Sequence, residues 1–385
     1  MLKAKIKELA KDLDIRLIGF CSTDPFDKEI ERMDKLSSYY EKTGYGHNRY
    51  VNRQFRMRLF PRDFSPDART IIVAAQPIPP GNVKDRSEPG RPRGITATNY
   101  AREEKGWYDV LEHKLDRLAE SIRKMGHSVQ PSYKANFREL PGIRPRYTLL
   151  LRAAAIRSGI GQRGKNALIY TKEFGSFVVL SALYTNAEIP LDEPSEPEST
   201  CGDCTICQAA CPQDALNRAY VLDAQSCMSI VYDEVLANPD VPIRESRRIR
   251  LDNHFVGCDI CQSVCPKNQN LSDYQHNLYT ELNSTRLHPP LIRKMYEYHR
   301  PIVTRAIICM GNKKDPAAVD TLLEFLRNRD NRAILHSRLY AAWALGKIDN
   351  PRSLDGLKEE LEKEDDRMVR QEIIQAINNL ESNTQ

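Results

Sequence analysis

The chain has 385 residues, 41% of them hydrophobic and 28% charged, with a formal net charge of +5. This length predicts two or three compact units, and the composition is that of a folded globular protein rather than a disordered one. No run approaches the ~20 apolar residues of a membrane span. Residues 1–6 lack the apolar block of a signal peptide, so a cytoplasmic protein without a membrane partner is expected.

Leu2, Ile6, Leu9 and Leu13 recur at helical spacing, and residues 17–21 then read as a short strand. Past a polar, Arg-rich stretch, residues 70–75 are a buried-strand candidate between Pro66 and Pro77. Tyr108, Leu111, Leu115, Leu118 and Ile122 mark an amphipathic helix. Between positions 134 and 165 eight basic residues (Lys134, Arg138, Arg144, Arg146, Arg152, Arg157, Arg163, Lys165) face the single acid Glu139. They make either a solvated face or a surface for phosphate groups, on a nucleotide-bearing cofactor or on RNA. Residues 152–158 predict a helix ended by Gly159 and Gly161, and residues 176–185 are the strongest strand. This alternation predicts an α/β N-terminal cofactor domain over residues 1–190. The proline- and acid-rich stretch 190–200 reads as a linker.

Ten cysteines in a reducing compartment are not expected to pair as disulfides. Eight of them lie between positions 201 and 265. The first group is Cys201-x2-Cys204-x2-Cys207-x3-Cys211-Pro212; the second is Cys258-x2-Cys261-x3-Cys265-Pro266, with Cys227 further upstream. The first spacing is that of the bacterial ferredoxin run, in which the fourth cysteine ligates the other cluster. By that logic Cys201, Cys204, Cys207 and Cys265 hold one [4Fe–4S] cluster, and Cys258, Cys261, Cys211 and Cys227 hold the second. Zinc also takes four thiolates, but zinc fingers normally lack the Cys-Pro ending and the crossed ligand. A ferredoxin-like double-cluster domain over 191–285 follows. Two clusters move single electrons, so the domain before them is expected to hold the acceptor, either a substrate or a second cofactor.

The C-terminus repeats itself. Residues 315–322 match 350–357, residues 306–311 match 341–346, and a third fragment follows at 374–380. This period predicts an all-α, HEAT-like repeat domain over 286–385, an architecture that offers a binding surface and no chemistry of its own. Cys309 falls on an apolar helical face and is expected in the core.

Several motifs together carry a family resemblance: Gly159-Ile-Gly161-Gln-Arg-Gly164-Lys165-Asn166, Phe174-Gly175-Ser176, Thr185-Asn186, Cys201-Gly202-x-Cys204 and Gly257-Cys258-Asp259-x-Cys261-Gln262. The region of Arg58 and Pro61, the pair Tyr100-Ala101 and the C-terminal repeats match too. The chain resembles, over nearly its whole length, the epoxyqueuosine reductase family, relatives of the reductive dehalogenases. That resemblance implies cobalamin beside the first cluster, two [4Fe–4S] clusters and an external electron donor such as a flavodoxin or ferredoxin. It also implies a tRNA partner bound through basic residues 134–165 and the repeats, and removal of an epoxide oxygen to give queuosine. Candidate cobalamin contacts are Gly159, Gly161, Gly164, Lys165, Asn166, Gly175, Ser176 and Thr185. The three glycines of the first motif would let backbone approach a macrocycle, and they equally suit a helix C-cap and turn.

The chain departs from that family in two respects, one being that the family's Asp-Tyr-His becomes Trp107-Tyr108-Asp109. The other is that the family's usual proton donor is an aspartate about twenty residues before the Gly-Lys-Asn, yet residues 142–166 contain no carboxylate. Epoxide opening develops negative charge on oxygen and needs a positioned acid. Tyr147, with Arg146 or Arg144 to acidify it, is the candidate substitute, and Asp109 or Glu139 entering from elsewhere is the other. The missing aspartate leaves room for another oxygenated or halogenated substrate. The alternative from a different class is a non-enzymatic electron-transfer or corrinoid-activating iron–sulfur protein.

Overall fold

The computed structural model describes residues 1–32, 34, 57–78, 107–133, 149–195, 197, 199–223, 226–228, 248, 258–269, 300–329 and 335–382. At its centre is strand β2 (Thr70–Pro77), buried at every position. Its residues are mostly β-branched or small, which lets both faces of the sheet be covered. Strand β1 (Leu17–Ser22) pairs antiparallel on one side, with Gly19 opposite Val73. Strand β6 (Val178–Thr185) pairs antiparallel on the other, with Ile72 opposite Leu183, and β3 (Val129–Pro131) extends the far edge. The order is β1–β2–β6–β3.

Period-two alternation divides the two faces. Ile72, Ala74, Val179 and Leu183 pack under α1 (Leu2–Asp12) and α2 (Trp107–Lys124), where Leu111, Leu115, Leu118 and Ile122 complete the core. Ile71, Val73, Ala75, Leu180, Ala182 and Tyr184 face α3 (Leu151–Arg157), whose Ala153, Ala154 and Ala155 keep the helix close to the strands. These are the elements the periodicity predicts, each within about two residues of its expected bounds. Strand β3 and the small ribbon β4 (Gln162–Arg163) and β5 (Ile169–Tyr170) are the additions. At two or three residues each, they are too short to show a period.

The C-terminal third stacks as the 35-residue repeat requires. Helices α6 (Arg300–Lys313), α8 (Leu335–Leu345) and α10 (Arg367–Ser382) form one layer, and α7 (Val319–Arg327) and α9 (Pro351–Lys363) form the other. The intervening four-residue helices α4 (Ile206–Ala209) and α5 (Ile260–Ser263) belong to the cysteine segment. Repeat-equivalent residues do equivalent work. Asp315 accepts from the Ala317 N–H at 3.0 Å, and Asn350 caps the next repeat by accepting from the Arg352 N–H at 2.9 Å. A side chain on Gly311 would overlap Ala344, and one on Gly346 would overlap Ala376, so both glycines set the close spacing between successive helices. Cys309 lies in this core, as expected. The core also includes Met228 and takes Cys258 and Ile260 against its side, so one face of the array seats the cysteine segment. Arg248 fastens that junction: it bonds Glu372 at 2.9 Å and lies 5.0 Å from the Tyr340 ring centre.

Within the array the buried Arg338 pairs with the buried Glu364 and donates to the Leu326 carbonyl at 3.0 Å. Removing one member strands the other in a low-dielectric interior. Arg338→Ala is expected to destabilise the array by about 3–5 kcal/mol, read as a drop in the urea midpoint of the helical signal. A change below about 1 kcal/mol would show the pair to be dispensable.

Candidate functional site

The site is built from the chain that leaves α3. Helix α3 ends in a Schellman closure: the Gly159 N–H donates to Ile156 at 3.1 Å and the Ile160 N–H to Ala155 at 2.9 Å. Gly159 has a φ of 71°, the left-handed conformation that closure demands. The chain then makes β4, turns through Gly164 to Ala167, and returns as β5. The free space at the three glycines is already taken by protein. Added side chains would overlap the Glu193 carbonyl at Gly159, Ile169 and Tyr170 at Gly161, and the Tyr170 ring at Gly164. The structure shows the cap and turn that the sequence allows, with these glycines packed closely against protein.

A second turn, closed by the Thr171 N–H to the Gly175 carbonyl at 2.9 Å, delivers Gly175 and Ser176 to the cysteine segment. There Ser176 is buried in a polar seam. Its N–H donates to Asn268 Oδ1 at 2.9 Å, its hydroxyl to Gln262 Oε1 at 2.8 Å, and it accepts from Asn268 Nδ2 at 2.8 Å. Gln262 in turn donates to Asp259 at 2.9 Å. Gly175, with φ 56°, leaves room for the Asn268 amide. From the preceding turn Asn166 Nδ2 donates to the Tyr170 hydroxyl at 2.7 Å and reaches the Cys261 carbonyl at 3.4 Å. The Lys165 carbonyl receives the Tyr220 N–H at 2.9 Å. Burial pushes the Tyr170 phenol far up, and the nearby Cys265 adds to the effect.

Thr185 stands apart. It is nine residues along from Ser176, roughly 30 Å at ~3.3 Å per strand residue, and its hydroxyl donates to Ser128 at 2.8 Å. It does not share a site with Gly175 and Ser176. Because β2 and β6 are antiparallel, Pro77 lies beside Val178 on the cluster side, and Thr70 lies with Thr185 on the opposite side. Of the eight basic residues between 134 and 165, three turn inward. Arg152 donates to the Ala167 carbonyl at 2.6 Å, Arg157 donates to Asp24 and Pro25 and stacks 4.0 Å from the Phe26 ring centre, and Arg163 pairs with Glu29. These three do not form a phosphate-binding face. Lys134, Arg138, Arg144, Arg146 and Tyr147 lie outside the described residues.

The cysteine segment is internally two-fold. Residues 205–212 and 259–266 share the order Ile-Cys-Gln-x-x-Cys-Pro and repeat the same backbone bonds. Gln208 and Ala209 both bond the Thr205 carbonyl, as Gln262 and Ser263 both bond that of Asp259. Helices α4 and α5 pack on each other. Burial raises the Cys207 thiol, aided by its neighbours Cys265, Cys201 and Cys204. Burial likewise pushes Cys258 to about 12, with Cys227 and Cys211 adding to the effect. Cys207 thus has Cys265, Cys201 and Cys204 as neighbours, and Cys258 has Cys227 and Cys211. Among the described residues no three His, Cys, Asp or Glu side chains close around a single ion. An iron–sulfur cube instead binds thiolates at its separate corners, and the donor set, all cysteine, suits it.

Comparison with known proteins bears on this geometry. Residues 200–268 match the 4Fe-4S double cluster binding domain and residues 290–378 match HEAT repeats. Epoxyqueuosine reductase of Bacillus subtilis is 31% identical over 98% of this chain and 95% of its own length. The corresponding protein of Escherichia coli is 30% identical over 70% of this chain and 65% of its own. A structure of the Bacillus subtilis enzyme, with its aspartate-bearing catalytic loop swung out of the active site, superposes with a TM-score of 0.77 at 30% identity, covering 98% of this chain and 99% of that one. An epoxyqueuosine reductase solved with an epoxyqueuosine-modified tRNA stem loop gives 0.77 at 29% identity, covering 99% of each chain.

The seam generates a test. Gly175→Ala forces a side chain into a left-handed position and against Asn268, and is expected to cost about 1–3 kcal/mol. Asn268→Ala frees that space, so the double variant should lose less than the sum of the two single losses in thermal melts. Strict additivity would mean that the two residues do not meet.

Proposed function

The chain belongs to the epoxyqueuosine reductase family, and from that premise we propose that it reduces epoxyqueuosine in tRNA to queuosine. It is an oxidoreductase with a double-cluster iron–sulfur domain; the substrate, the second cofactor and the individual residue roles are our reading. The observation that carries it is co-linearity. A relative 31% identical matches across 98% of the chain, so sheet domain, cluster segment and repeats occur together in the same order.

The reaction removes the epoxide oxygen as water and consumes two electrons and two protons. In this reading an external one-electron carrier, a flavodoxin or ferredoxin, reduces the clusters one electron at a time. Cys258, Cys261, Cys211 and Cys227 hold the cluster seated against the helical array. Cys201, Cys204, Cys207 and Cys265 hold the other, and Asn268, three residues beyond Cys265, bonds Ser176 of the sheet domain. Cobalamin is the second cofactor and, when bound, supplies a strongly reducing, nucleophilic cobalt. Its contacts are sought on the cluster side of the sheet, with Lys165 the remaining candidate from the glycine motif. Asn166, Gly175 and Ser176 serve first to hold that side to the cluster segment.

With no carboxylate in residues 142–166, Tyr147 assisted by Arg146 is assigned as proton donor to the leaving oxygen. The tRNA backbone is met by the remaining basic residues of 134–165 and by the repeats.

The test is anaerobic reconstitution with iron, sulfide and cobalamin, followed by incubation with epoxyqueuosine-containing tRNA and mass analysis of its nucleosides. Conversion to queuosine is expected, and Tyr147→Phe should slow it by roughly 10²-fold or more, the usual weight of a general acid. A fully loaded enzyme that leaves the epoxide intact would overturn the substrate assignment in favour of another oxygenated or halogenated compound. An unimpaired Tyr147→Phe would remove Tyr147 from the mechanism.

A further inference from the structure

We propose that a polar cleft at the end of the sheet opposite the cysteine segment is a binding site for a phosphate group. The inference does not depend on the substrate reading above. It gives Thr185 and Asn186, which lie apart from Gly175 and Ser176, a role of their own.

The cleft encloses about 590 Å³ where β2 begins, β6 ends and β3 begins. Arg62, Arg69, Ser128 and Asn186 line it, all exposed to solvent, and Asp67 is the one acid among the lining residues. The donors are held from beneath. The Ser128 N–H donates to Asn186 Oδ1 at 2.8 Å, and the Asn186 N–H returns to the Ser128 carbonyl at 3.3 Å. The Thr185 hydroxyl grips the same carbonyl at 2.8 Å. With Oδ1 engaged, the Asn186 amide has its Nδ2 left to donate, and that nitrogen bonds no described residue. Arg62 is oriented through Nε, which donates to Thr23 Oγ1 at 3.0 Å. Thr23 is itself buried and donates to the Ala68 carbonyl at 3.3 Å. The Arg69 backbone is fixed by its N–H to the Thr185 carbonyl at 2.8 Å.

Neither Arg62 nor Arg69 forms an ion pair among the described residues, and Asp67 pairs with neither. Arg152, Arg157 and Arg163 of the same domain are, by contrast, spent on internal partners. Two guanidinium forks and an amide offer more N–H groups than the two oxygens of a carboxylate accept, and they suit the larger oxygen set of a phosphate. The apolar part of the lining is only Pro66 and Ala68, so recognition is of the charged group and not of a base or ring. The volume exceeds that of a lone phosphate. The group therefore arrives attached, as a phosphodiester of an RNA strand or on a phosphorylated small molecule, and both present the same chemistry.

The test is phosphorus NMR of inorganic phosphate titrated with the reconstituted full-length protein at constant ionic strength, alongside tRNA affinity measured over a range of salt. The parent protein should broaden the phosphate line saturably. The double variant Arg62→Gln, Arg69→Gln should weaken phosphate binding roughly tenfold or more, the weight of one lost charge-assisted bond. Its melting temperature and iron content should match the parent's. Asn186→Asp keeps the acceptor for the Ser128 N–H but sets a negative charge where the amide donated, and should weaken phosphate binding as much. A matching loss of tRNA affinity, with the salt slope reduced by about one, would identify an RNA phosphodiester as the source. Weakened phosphate binding with tRNA affinity unmoved would identify a phosphorylated small molecule. Variants that bind phosphate and tRNA as the parent does would overturn the proposal and leave two solvated arginines.

Discussion

Ser176 is bonded through its N–H and its hydroxyl to Asn268 and Gln262, and this small polar seam is what the functional arrangement depends on. A buried seam of this kind is costly unless every member is paired, and here each bond also closes a neighbour's requirement. Its position is set by the turn at Gly175, the only geometry that lets the Asn268 amide approach the backbone so closely. The seam joins the start of β6 to the second Cys-x-x-x-Cys-Pro turn, so the sheet's orientation and the position of Cys265 are fixed by the same few atoms. Electron transfer between separate units depends on spacing, and a polar seam, being directional, sets spacing more strictly than apolar contact alone.

On its far side the cysteine segment is held differently. Met228, Cys258 and Ile260 rest against the apolar core of the helical repeats, with Arg248 pinned between Glu372 and the Tyr340 ring. One half of the two-fold segment therefore meets a polar, hydrogen-bonding neighbour and the other an apolar one. The two environments come from elements that are not part of the ferredoxin-like fold.

Much of this was legible in the residues. The eight cysteines, the 35-residue repeat and the long apolar runs at 70–77 and 178–185 carry strong local patterns, and each appears in the fold where its pattern places it. What the sequence could not distinguish was the use of its small and polar residues. Gly159, Gly161 and Gly164 look alike as a macrocycle loop and as a helix cap followed by a tight turn. Only their neighbours Glu193, Ile169 and Tyr170, distant or unremarkable in sequence, decide for the second. Ser176 and Thr185 flank the same strand and seem to belong together, yet the strand's length sets them at opposite ends. Of the basic run at 134–165, the described Arg152, Arg157 and Arg163 are spent on internal partners, which a charge count cannot show. Tyr170 was missed for a related reason: a tyrosine in a two-residue strand carries no signal until its ring is seen packed over Gly164.

The account stands most directly on the claim that the segment from Cys201 to Cys265 carries two cubes joined to a catalytic sheet domain. Metal and sulfide analysis of the anaerobically purified full-length protein, with EPR of its reduced form, measures that claim. The account predicts roughly eight irons and eight inorganic sulfides per chain, with spectra of two magnetically interacting [4Fe–4S] clusters. Stoichiometric zinc, or iron equivalent to a single cluster, would contradict it.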